Sequence, residues 1–473
     1  MDFYVRKVTI ENLFEQGNNY KIDLSEGCNC IYGTNGTGKT TIINLIVNSL
    51  TVDVNAIARC QFCSISIEIS KTNQKRPLKF LTISKTKVEE TDTIELTFQI
   101  HEELDQKITI TPNPQNRTYE KNQSTIELIR RIVATKINLT HVPLLRMHDS
   151  EIFGIRDERD EFLHRMLHGK HLPTSQINEI IDPSVRVLNT LQRQFLSEAN
   201  DARKTITNKL EVLKSKIIEK VMIDESLVKM SLRALSKTST AISSQLEDVD
   251  VSAYVEKFSE AKINVPEERI REHFSTWKKL NDNVRDAFNT MDAVRKTKAL
   301  DPSNEQLNKK EKDAYEKFNN SYFSLFAVTN FNDRFLSIIK DVESMQDEKY
   351  ELTKFFSDYE IEANKYFNPR KSFKINEDGQ FSVKSNDRQV NLYDLSSGEK
   401  HILTILGKAA LSRREGTVFI ADEPELSLHL DWQRIILPSI IKLSPKSQII
   451  VATHSPSINA KGSTEIDLEE CRR

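Results

Sequence analysis

The chain has 473 residues, of which 38% are hydrophobic and 29% are charged, and its formal net charge at pH 7 is −2. This length allows two or three domains, and the composition is ordinary for a globular protein with exposed helical surface. The balanced charge excludes a protein that binds polyanions over its whole surface, while a local basic groove stays open. No apolar run approaches the roughly 20 residues that a membrane helix needs, and the N-terminus has no signal-peptide pattern. The sequence therefore predicts a cytoplasmic protein without a membrane partner.

Five cysteines in a chain of this length favour a reducing compartment. Cys28 and Cys30 form one close pair and Cys60 and Cys63 form another, so a zinc site is one interpretation. Two residues apart in a strand, Cys28 and Cys30 share one face and can pack against a core. We favour packing over zinc binding.

Alternating apolar and polar residues predict that the chain begins with strands at residues 5–10 and 20–24. An apolar strand is predicted at residues 28–32, and residues 41–50 are apolar at helical spacing. Between these two elements lies the run Gly33-Thr34-Asn35-Gly36-Thr37-Gly38-Lys39-Thr40. It fits the phosphate-loop pattern G-x-x-x-x-G-K-[ST] at every fixed position. Residues 33–40 are called the phosphate loop below.

A strand, a glycine-rich loop and a helix N-terminus in this order form a cradle for a polyphosphate. The glycines let several backbone N–H groups converge on one anion. Lys39 is expected to reach the outer phosphates, and Thr40 to offer its hydroxyl to Mg²⁺. The residues assigned to nucleotide binding in this segment are Gly33, Asn35, Gly36, Gly38, Lys39, Thr40 and Thr41.

The chain after the first helix is predicted to be mainly β-structure, ending in a helix at residues 124–135. The predicted strands are residues 65–69, 78–83, 94–100 and 107–110. Residues 148–161 are crowded with charge and predict a surface loop, with a partner-contact segment as the alternative.

Residues 184–366 are predicted to be helical, because they contain no glycine and only two prolines, Pro266 and Pro302. Apolar residues recur there at helical spacing in two sets, Val185, Leu188, Leu191, Phe195 and Leu210, Leu213, Ile217, Val221. The heptad pattern is not strict, so a helical arm or antiparallel coiled-coil pair and a compact helical subdomain both stay open.

A short hairpin is predicted to follow, with strands at residues 373–375 and 379–383 and a turn at Asp378-Gly379. The run Leu395-Ser396-Ser397-Gly398-Glu399-Lys400 then opens an apolar helix over residues 402–411. Its free N–H groups suit a phosphate. A plain helix cap by Ser396 or Ser397, with Glu399 in the first turn, explains the same residues.

Two further strands are predicted near the end of the chain. Residues 417–423 are apolar until they end in Asp422 and Glu423. Asp422 can bind Mg²⁺ through water and Glu423 can orient or deprotonate an attacking water, although a solvated acidic turn is the plain alternative. Residues 449–452 form a second apolar strand, which His454 follows. Residues 465–468 are predicted to add an edge strand.

The order of phosphate loop, Leu-Ser-Ser-Gly-Glu-Lys, acidic strand and Thr-His-Ser-Pro resembles the ATPase head of the ABC superfamily. The resemblance implies an α/β fold, a P-loop ABC-type head of a mixed sheet with an antiparallel β lobe and a large inserted helical, partly coiled-coil domain. It assigns residues 1–148 to the N-terminal lobe, 149–370 to the insertion and 371–473 to the C-terminal lobe.

The resemblance also implies ATP and Mg²⁺ as ligands, with the metal held by Thr40 and Asp422. Glu423 becomes the catalytic base, and His454 the switch histidine that senses the γ-phosphate. Dimers that form across the ATP sites, and higher oligomers of them, follow from the signature motif, which contacts the nucleotide of the partner subunit. The signature residues are Ser396, Ser397, Gly398 and Glu399. The family's glutamine loop and adenine-stacking aromatic are not placed; Gln61 and Gln99 are candidates for the first and Phe14 for the second.

Residues 422–433 and 452–456 are similar to the corresponding motifs of the OLD and AAA-21-like group of anti-phage defence ATPases. The length and the early end of the chain are most like the ATPases of two-gene systems, PARIS (AriA) ahead of Septu (PtuA). This likeness implies a separate nuclease effector, Toprim-type in PARIS or HNH-type in Septu, and a phage-encoded trigger protein. The alternative is an SMC- or RecF-like DNA-repair clamp. The scattered Lys and Arg residues leave direct DNA binding open.

Overall fold

The computed structural model describes residues 3–34, 36–72, 76–88, 93–100, 104–110, 117–143, 183–221, 251–260, 263, 265–300, 305–367, 369–458 and 460–473. The chain divides into two compact units. The head unit consists of Met1–Ala199 and Phe355–Arg473, and the helical unit is Asn200–Lys354. The predicted boundary at 148/149 and the whole charged segment 148–161 lie outside the described residues. The domain boundaries therefore stay predictions.

The helices and strands of the described residues are numbered in chain order. The strands are β1 Phe3–Glu11, β2 Tyr20–Asp23, β3 Cys28–Tyr32, β4 Ser64–Lys71, β5 Leu78–Val88, β6 Thr93–Ile100, β7 Leu104–Ile110, β8 Asn138–Val142, β9 Ser372–Ile375, β10 Phe381–Ser385, β11 Arg388–Val390, β12 Thr417–Asp422, β13 Gln448–Ala452 and β14 Thr464–Asp467. The helices are α1 Lys39–Thr51, α2 Val54–Arg59, α3 Arg117–Lys136, α4 Pro183–Val221, α5 Val251–Glu260, α6 Glu267–Leu300, α7 Glu305–Phe367, α8 Ser397–Leu411 and α9 Leu430–Leu443.

A parallel sheet of order β14-β3-β13-β12-β8 forms the centre of the head unit. All residues of β12 and β13 are buried, because both faces of these central strands are covered. The predicted edge strand at residues 465–468 is confirmed as β14. The opposite edge, β8, was not predicted, since Asn138-Leu-Thr-His-Val has neither an apolar run nor a clear alternation.

An antiparallel sheet of order β2-β1-β4-β5-β6-β7 forms a second layer of the head unit. Its strands follow the predicted alternation, as the burial pattern of β1 illustrates. The two sheets and α1 share one core, to which α1 contributes Ile42, Ile43, Leu45 and Ile46. The α/β fold with an antiparallel lobe and a large helical insertion is confirmed.

The second core of the head unit surrounds α8 and is rich in aromatic rings. Phe195 packs against Tyr359 and against Phe381, with ring centroids 5.1 Å apart in both pairs. The predicted turn at Asp378-Gly379 joins β9 to β10. Gly379 has a φ of +83°, and a Cβ there would lie 2.6 Å from the carbonyl oxygen of Phe195. Both the left-handed backbone and the lack of space require glycine.

The helical unit has a core of its own, built from side chains of α4, α5, α6 and α7. Its fully buried members include Leu213, Phe258, Ile270, Ile339 and Val342. The prediction of helix over residues 184–366 is confirmed for the described parts. Both predicted alternatives find support in the described residues. The 63-residue helix α7 has the length of a coiled-coil arm, whereas the core shared by four helices is typical of a compact subdomain.

None of the described helices is both long and apolar enough to cross a membrane.

Candidate nucleotide-binding site

The phosphate loop connects the end of β3 to the start of α1, as the sequence predicted. Gly36 and Gly38 have φ values of +89° and +87°, a backbone region that glycine adopts without strain. At Gly33, a Cβ would lie 2.9 Å from the Thr37 Oγ1 atom, so the loop also needs a small residue there. Asn35 lies outside the described residues. Left-handed glycines just before the N-terminus of α1 suit a loop whose backbone N–H groups bind an anion.

Lys39 is the first residue of α1, and only 4% of its surface is exposed. Its Nζ donates hydrogen bonds to the carbonyl oxygens of Gly33 at 2.7 Å and Thr34 at 2.9 Å. Burial lowers the pKa of Lys39, while the nearby carboxylates of Glu423 and Asp422 favour its charged form. The ammonium group is therefore held at the loop by carbonyl oxygens that a phosphate can replace.

Asp422 ends β12, and 2% of it is exposed. Neither carboxylate oxygen accepts a hydrogen bond from the described residues. Burial raises the pKa of Asp422 to about 6, against the opposing influence of the Thr40 hydroxyl. A buried carboxylate that has a threonine hydroxyl beside it but accepts no well-formed hydrogen bond fits a site for a hard divalent cation such as Mg²⁺.

Glu423 and His454 are joined by a contact of 3.1 Å between Glu423 Oε1 and the ring Nε2 of His454. The other ring nitrogen, Nδ1, lies 3.1 Å from Lys39 Nζ. Because the lysine ammonium only donates, Nδ1 accepts, and a neutral ring carries its proton on Nε2, the nitrogen that contacts Glu423. Lys39, His454 and Glu423 thus form one chain of polar contacts, although His454 lies more than 400 positions after Lys39.

The backbone of Glu423 is left-handed, with a φ of +46°. A residue other than glycine in this conformation costs about 1–3 kcal/mol. The Glu423 N–H donates to the Ala452 carbonyl at 2.8 Å, which ties the end of β12 to the end of β13. This strain occurs at the residue that the sequence assigned to catalysis.

Glu425 was not predicted to belong to this site; the sequence placed it within residues 422–433, the stretch that resembles defence ATPases. Its Oε1 accepts hydrogen bonds from the Thr453 hydroxyl and from the N–H groups of His454 and Ser455, the latter two at 3.2 Å. Burial raises the pKa of Glu425, and the bond from Thr453 opposes that shift. The run Asp-Glu-Pro-Glu could have indicated a further acidic residue near the site, but the sequence does not show the direction of the second glutamate's side chain.

The signature residues lie at the start of α8. Ser396 caps the helix by accepting from the Glu399 N–H at 3.4 Å, and the Glu399 carboxylate accepts from the Ser396 N–H at 2.8 Å. Lys371 also donates to Glu399 at 2.9 Å. The helix-cap interpretation of Ser396 and Glu399 is therefore realised. Burial raises the pKa of Glu399, but the hydrogen bonds from Lys371 and Ser396 outweigh it and the net shift is downward.

Gly398 is buried against the turn that follows β12. A Cβ on Gly398 would lie 3.1 Å from the Ser427 carbonyl oxygen and 3.4 Å from the Trp432 ring. In α8, the ring Nε2 of His401 lies 3.1 Å from the Pro424 carbonyl oxygen, and burial lowers the pKa of His401 to about 4, so its neutral ring donates this bond. The described contacts thus place Ser396–Glu399 in a cluster of their own beside the turn.

A cavity of about 420 Å³ opens beside α1. Thr41, which the sequence assigned to nucleotide binding, lines it together with Phe14, Asn44, Asn48, Arg59 and Gln61. The ring of Phe14 extends over the phosphate loop, since a Cβ on Gly38 would lie 2.9 Å from it. One aromatic ring and several amides can hold a nucleoside base next to phosphates bound at the loop.

The parallel sheet, the phosphate loop and the acids at the end of β12 define a P-loop nucleotide hydrolase. Residues 4–458 match the family model of the AAA ATPase domain AAA_15, and the chain belongs to this family.

A curated relative, the "Retron Ec83 probable ATPase" of Escherichia coli, is 34% identical over 87 residues. The match covers 16% of this chain and 16% of the relative, so the chain spans about a sixth of the length of the relative it matches.

Two solved structures are similar over nearly the whole chain. The Smc head domain with an extended coiled coil, bound to the C-terminal domain of ScpA, from Pyrococcus furiosus is 12% identical, with 98% of this chain and 94% of that chain covered and a TM-score of 0.37. The Smc head domain with a coiled coil and joint from Pyrococcus yayanosii is 14% identical, with 100% and 96% covered and a TM-score of 0.35. Since both TM-scores are below 0.5, the fold class follows from this chain's own sheet order and elements.

Proposed function

We propose that this protein hydrolyses ATP at a site that two copies of the chain complete together. The observation that carries the proposal is the chain of polar contacts Lys39–His454–Glu423, next to the buried carboxylate of Asp422, which accepts no well-formed hydrogen bond from the described residues. Transfer of a phosphoryl group to water requires three kinds of group: a cation that binds the phosphates, a carboxylate that binds a metal ion and a carboxylate that orients the water.

Each residue has a distinct task in this proposal. Lys39 exchanges the carbonyl oxygens of Gly33 and Thr34 for oxygens of the outer phosphates. Mg²⁺, held by Thr40 and Asp422, would neutralise phosphate charge. Once Lys39 binds phosphate, the Nδ1 atom of His454 loses its donor. A ring that takes up a proton at Nδ1 can then donate a hydrogen bond to the γ-phosphate. Glu423 orients the attacking water and accepts its proton.

The residues Ser397 and Gly398 are proposed to act on the nucleotide of the partner subunit. The capping box uses the N–H groups of Ser396 and Glu399 but not those of Ser397 and Gly398. These two N–H groups lie in the first turn of α8, where the helix dipole favours an anion. A γ-phosphate presented by a second copy would satisfy them.

A mixing experiment tests whether the site is composite. Lys39→Ala removes the phosphate contact and keeps the start of α8, whereas Ser397→Arg blocks the start of α8 and keeps the phosphate loop. Each variant alone is expected to be inactive. If the site forms between copies, a mixture of the two variants regains part of the ATP hydrolysis, because one site of the mixed dimer is intact. The readout is phosphate release at varied mixing ratios.

The control is a mixture of the double variant Lys39→Ala/Ser397→Arg with the single variant Lys39→Ala. This mixture should stay inactive at every ratio. No recovery in the mixture of the single variants would mean that the start of α8 serves the nucleotide of its own chain. That result would refute the composite site without affecting the assignment of Lys39.

We further propose that the ATPase works with a separate nuclease in anti-phage defence and responds to a phage-encoded trigger. Support comes from the likeness of residues 422–433 and 452–456 to defence ATPases and from the match to a retron ATPase. A Toprim-type partner, as in PARIS, is preferred to an HNH-type partner, as in Septu. Co-expression with the product of the neighbouring gene is expected to yield a complex that contains a nuclease. Stimulation of ATP hydrolysis by plain duplex DNA, without such a complex, would favour the repair clamp.

A further inference from the structure

Glu425 joins the turn after β12 to the segment that carries His454. Only 7% of this glutamate is exposed, and one oxygen, Oε1, receives all of its described hydrogen bonds. The donors come from the consecutive residues Thr453, His454 and Ser455. Two successive backbone N–H groups on one oxygen form a small anion-binding concavity, and bonds to a carboxylate are stronger than bonds between neutral groups.

The position of His454 depends on these bonds because the sheet ends just before it. The N–H of Thr453 still donates to the Ile31 carbonyl, at 3.1 Å, as a continuation of the sheet. The N–H of His454 donates to Glu425 instead. The ring of His454 is about one third exposed, so contacts with the core alone do not fix it.

The same turn holds His454 at two points. Glu423 contacts the ring through Nε2 at 3.1 Å, and Glu425 contacts the backbone N–H at 3.2 Å. The turn itself is closed by bonds from the Leu426 N–H to the Glu423 carbonyl and from the Leu428 N–H to the Glu425 carbonyl, both at 3.0 Å. A shift of Glu425 would therefore change the distance between the histidine ring and Glu423.

We propose that Glu425 is a positioning residue for ATP hydrolysis, which holds the backbone of His454 so that its ring lies between Lys39 and Glu423. This inference rests on the proposed function, since it assigns Glu425 a task only if His454 takes part in hydrolysis. Glu425 touches neither substrate nor the reacting atoms in this scheme. Its effect passes through His454.

The variants of Glu425 separate positioning from general destabilisation. Glu425→Ala removes the acceptor and is expected to lower kcat by roughly 10- to 100-fold, the range that a displacement of about 1 Å can cause. The KM for ATP should change little, because Lys39 and the phosphate loop still bind the phosphates. Glu425→Gln keeps an amide oxygen that can accept from Thr453, His454 and Ser455, so it should recover part of the lost kcat.

The decisive measurement is the double variant Glu425→Ala/His454→Ala. If Glu425 acts through His454, the double variant is no slower than His454→Ala alone, because the two effects share one cause. The inference would be overturned if the kcat losses of the two single variants multiplied in the double variant. A wild-type kcat in Glu425→Ala would also overturn it. Glu362→Gln is the matched control: Glu362 is another buried carboxylate of the head unit, bonded to Ser439 at 2.8 Å, and its variant should keep the wild-type kcat.

The results distinguish failure of the inference from failure of the proposed function. A slow His454→Ala protein beside a normal Glu425→Ala protein overturns the inference alone. A His454→Ala protein with wild-type kcat overturns the proposed role of His454 and the inference with it. If Glu362→Gln lowers kcat as much as Glu425→Ala does, the loss reflects a weakened fold and the positioning role is refuted.

Discussion

Replacing Lys39 with alanine is expected to abolish measurable ATP hydrolysis and to weaken ATP binding by roughly 100-fold or more. A hydrogen bond to a charged group contributes about 1.5–3 kcal/mol, and each 1.4 kcal/mol is a factor of ten in affinity. Lys39 already makes two such bonds to loop carbonyls, so it can make as many to phosphate oxygens. Binding of a fluorescent ATP analogue and phosphate release measure the two effects.

The variant Lys408→Met is the matched control for Lys39→Ala. Lys408 is a partly buried lysine, and burial lowers its pKa to about 8, but its Nζ donates to the carbonyl oxygen of His141, at 2.8 Å, on β8. Lys408→Met should bind ATP normally. Equal loss in both variants would mean that any buried lysine of the head unit is needed for folding. Wild-type ATP affinity in Lys39→Ala would contradict the assignment of the phosphate loop.

Replacing Glu423 with glutamine is expected to slow ATP hydrolysis by roughly 10²- to 10⁴-fold and to leave ATP binding intact. General bases contribute factors of this size, and glutamine keeps the shape of glutamate without its basicity. The left-handed backbone at residue 423 is unchanged by this substitution, since both side chains meet it with the same Cβ. Single-turnover hydrolysis and ATP affinity, measured on the same preparation, separate chemistry from binding.

The control for Glu423→Gln is Glu415→Gln, near the other end of β12. Glu415 pairs with Lys446 at 3.1 Å, and both side chains are more than half exposed, so the pair contributes little to stability. Hydrolysis should be normal in this variant. If Glu423→Gln hydrolyses ATP at the wild-type rate, Glu423 is not the base, and the proposal would need another acceptor for the proton of water.

The sequence predicted several elements of the head unit, and the reason is local. Gly36 and Gly38 need a left-handed backbone, and Lys39 follows them at a fixed spacing, so contiguous residues define the phosphate loop. The strands β12 and β13 were predictable because a strand buried on both faces has a continuous apolar run. The turn at Gly379 was predictable because Asp-Gly is a turn signal.

The sequence did not predict the parts of the fold that lack such local patterns. The edge strand β8 has polar residues at Asn138, Thr140 and His141, and its pairing with β12 makes it a strand. The contacts of Glu425 were missed for a related reason: no local pattern shows where its side chain points, and only the path of Thr453–Ser455 brings donors to its buried carboxylate.

The chemistry available at each position was therefore determined by the sequence alone: a lysine in a glycine loop, two acids after a buried strand and a histidine after another. The tertiary structure decided which of these groups meet. The order β14-β3-β13-β12-β8 brings the carboxyl ends of β3, β12 and β13 to one edge, where Lys39, Glu423 and His454 come into contact. Strand order follows from how the whole chain packs, and no segment of the sequence encodes it by itself.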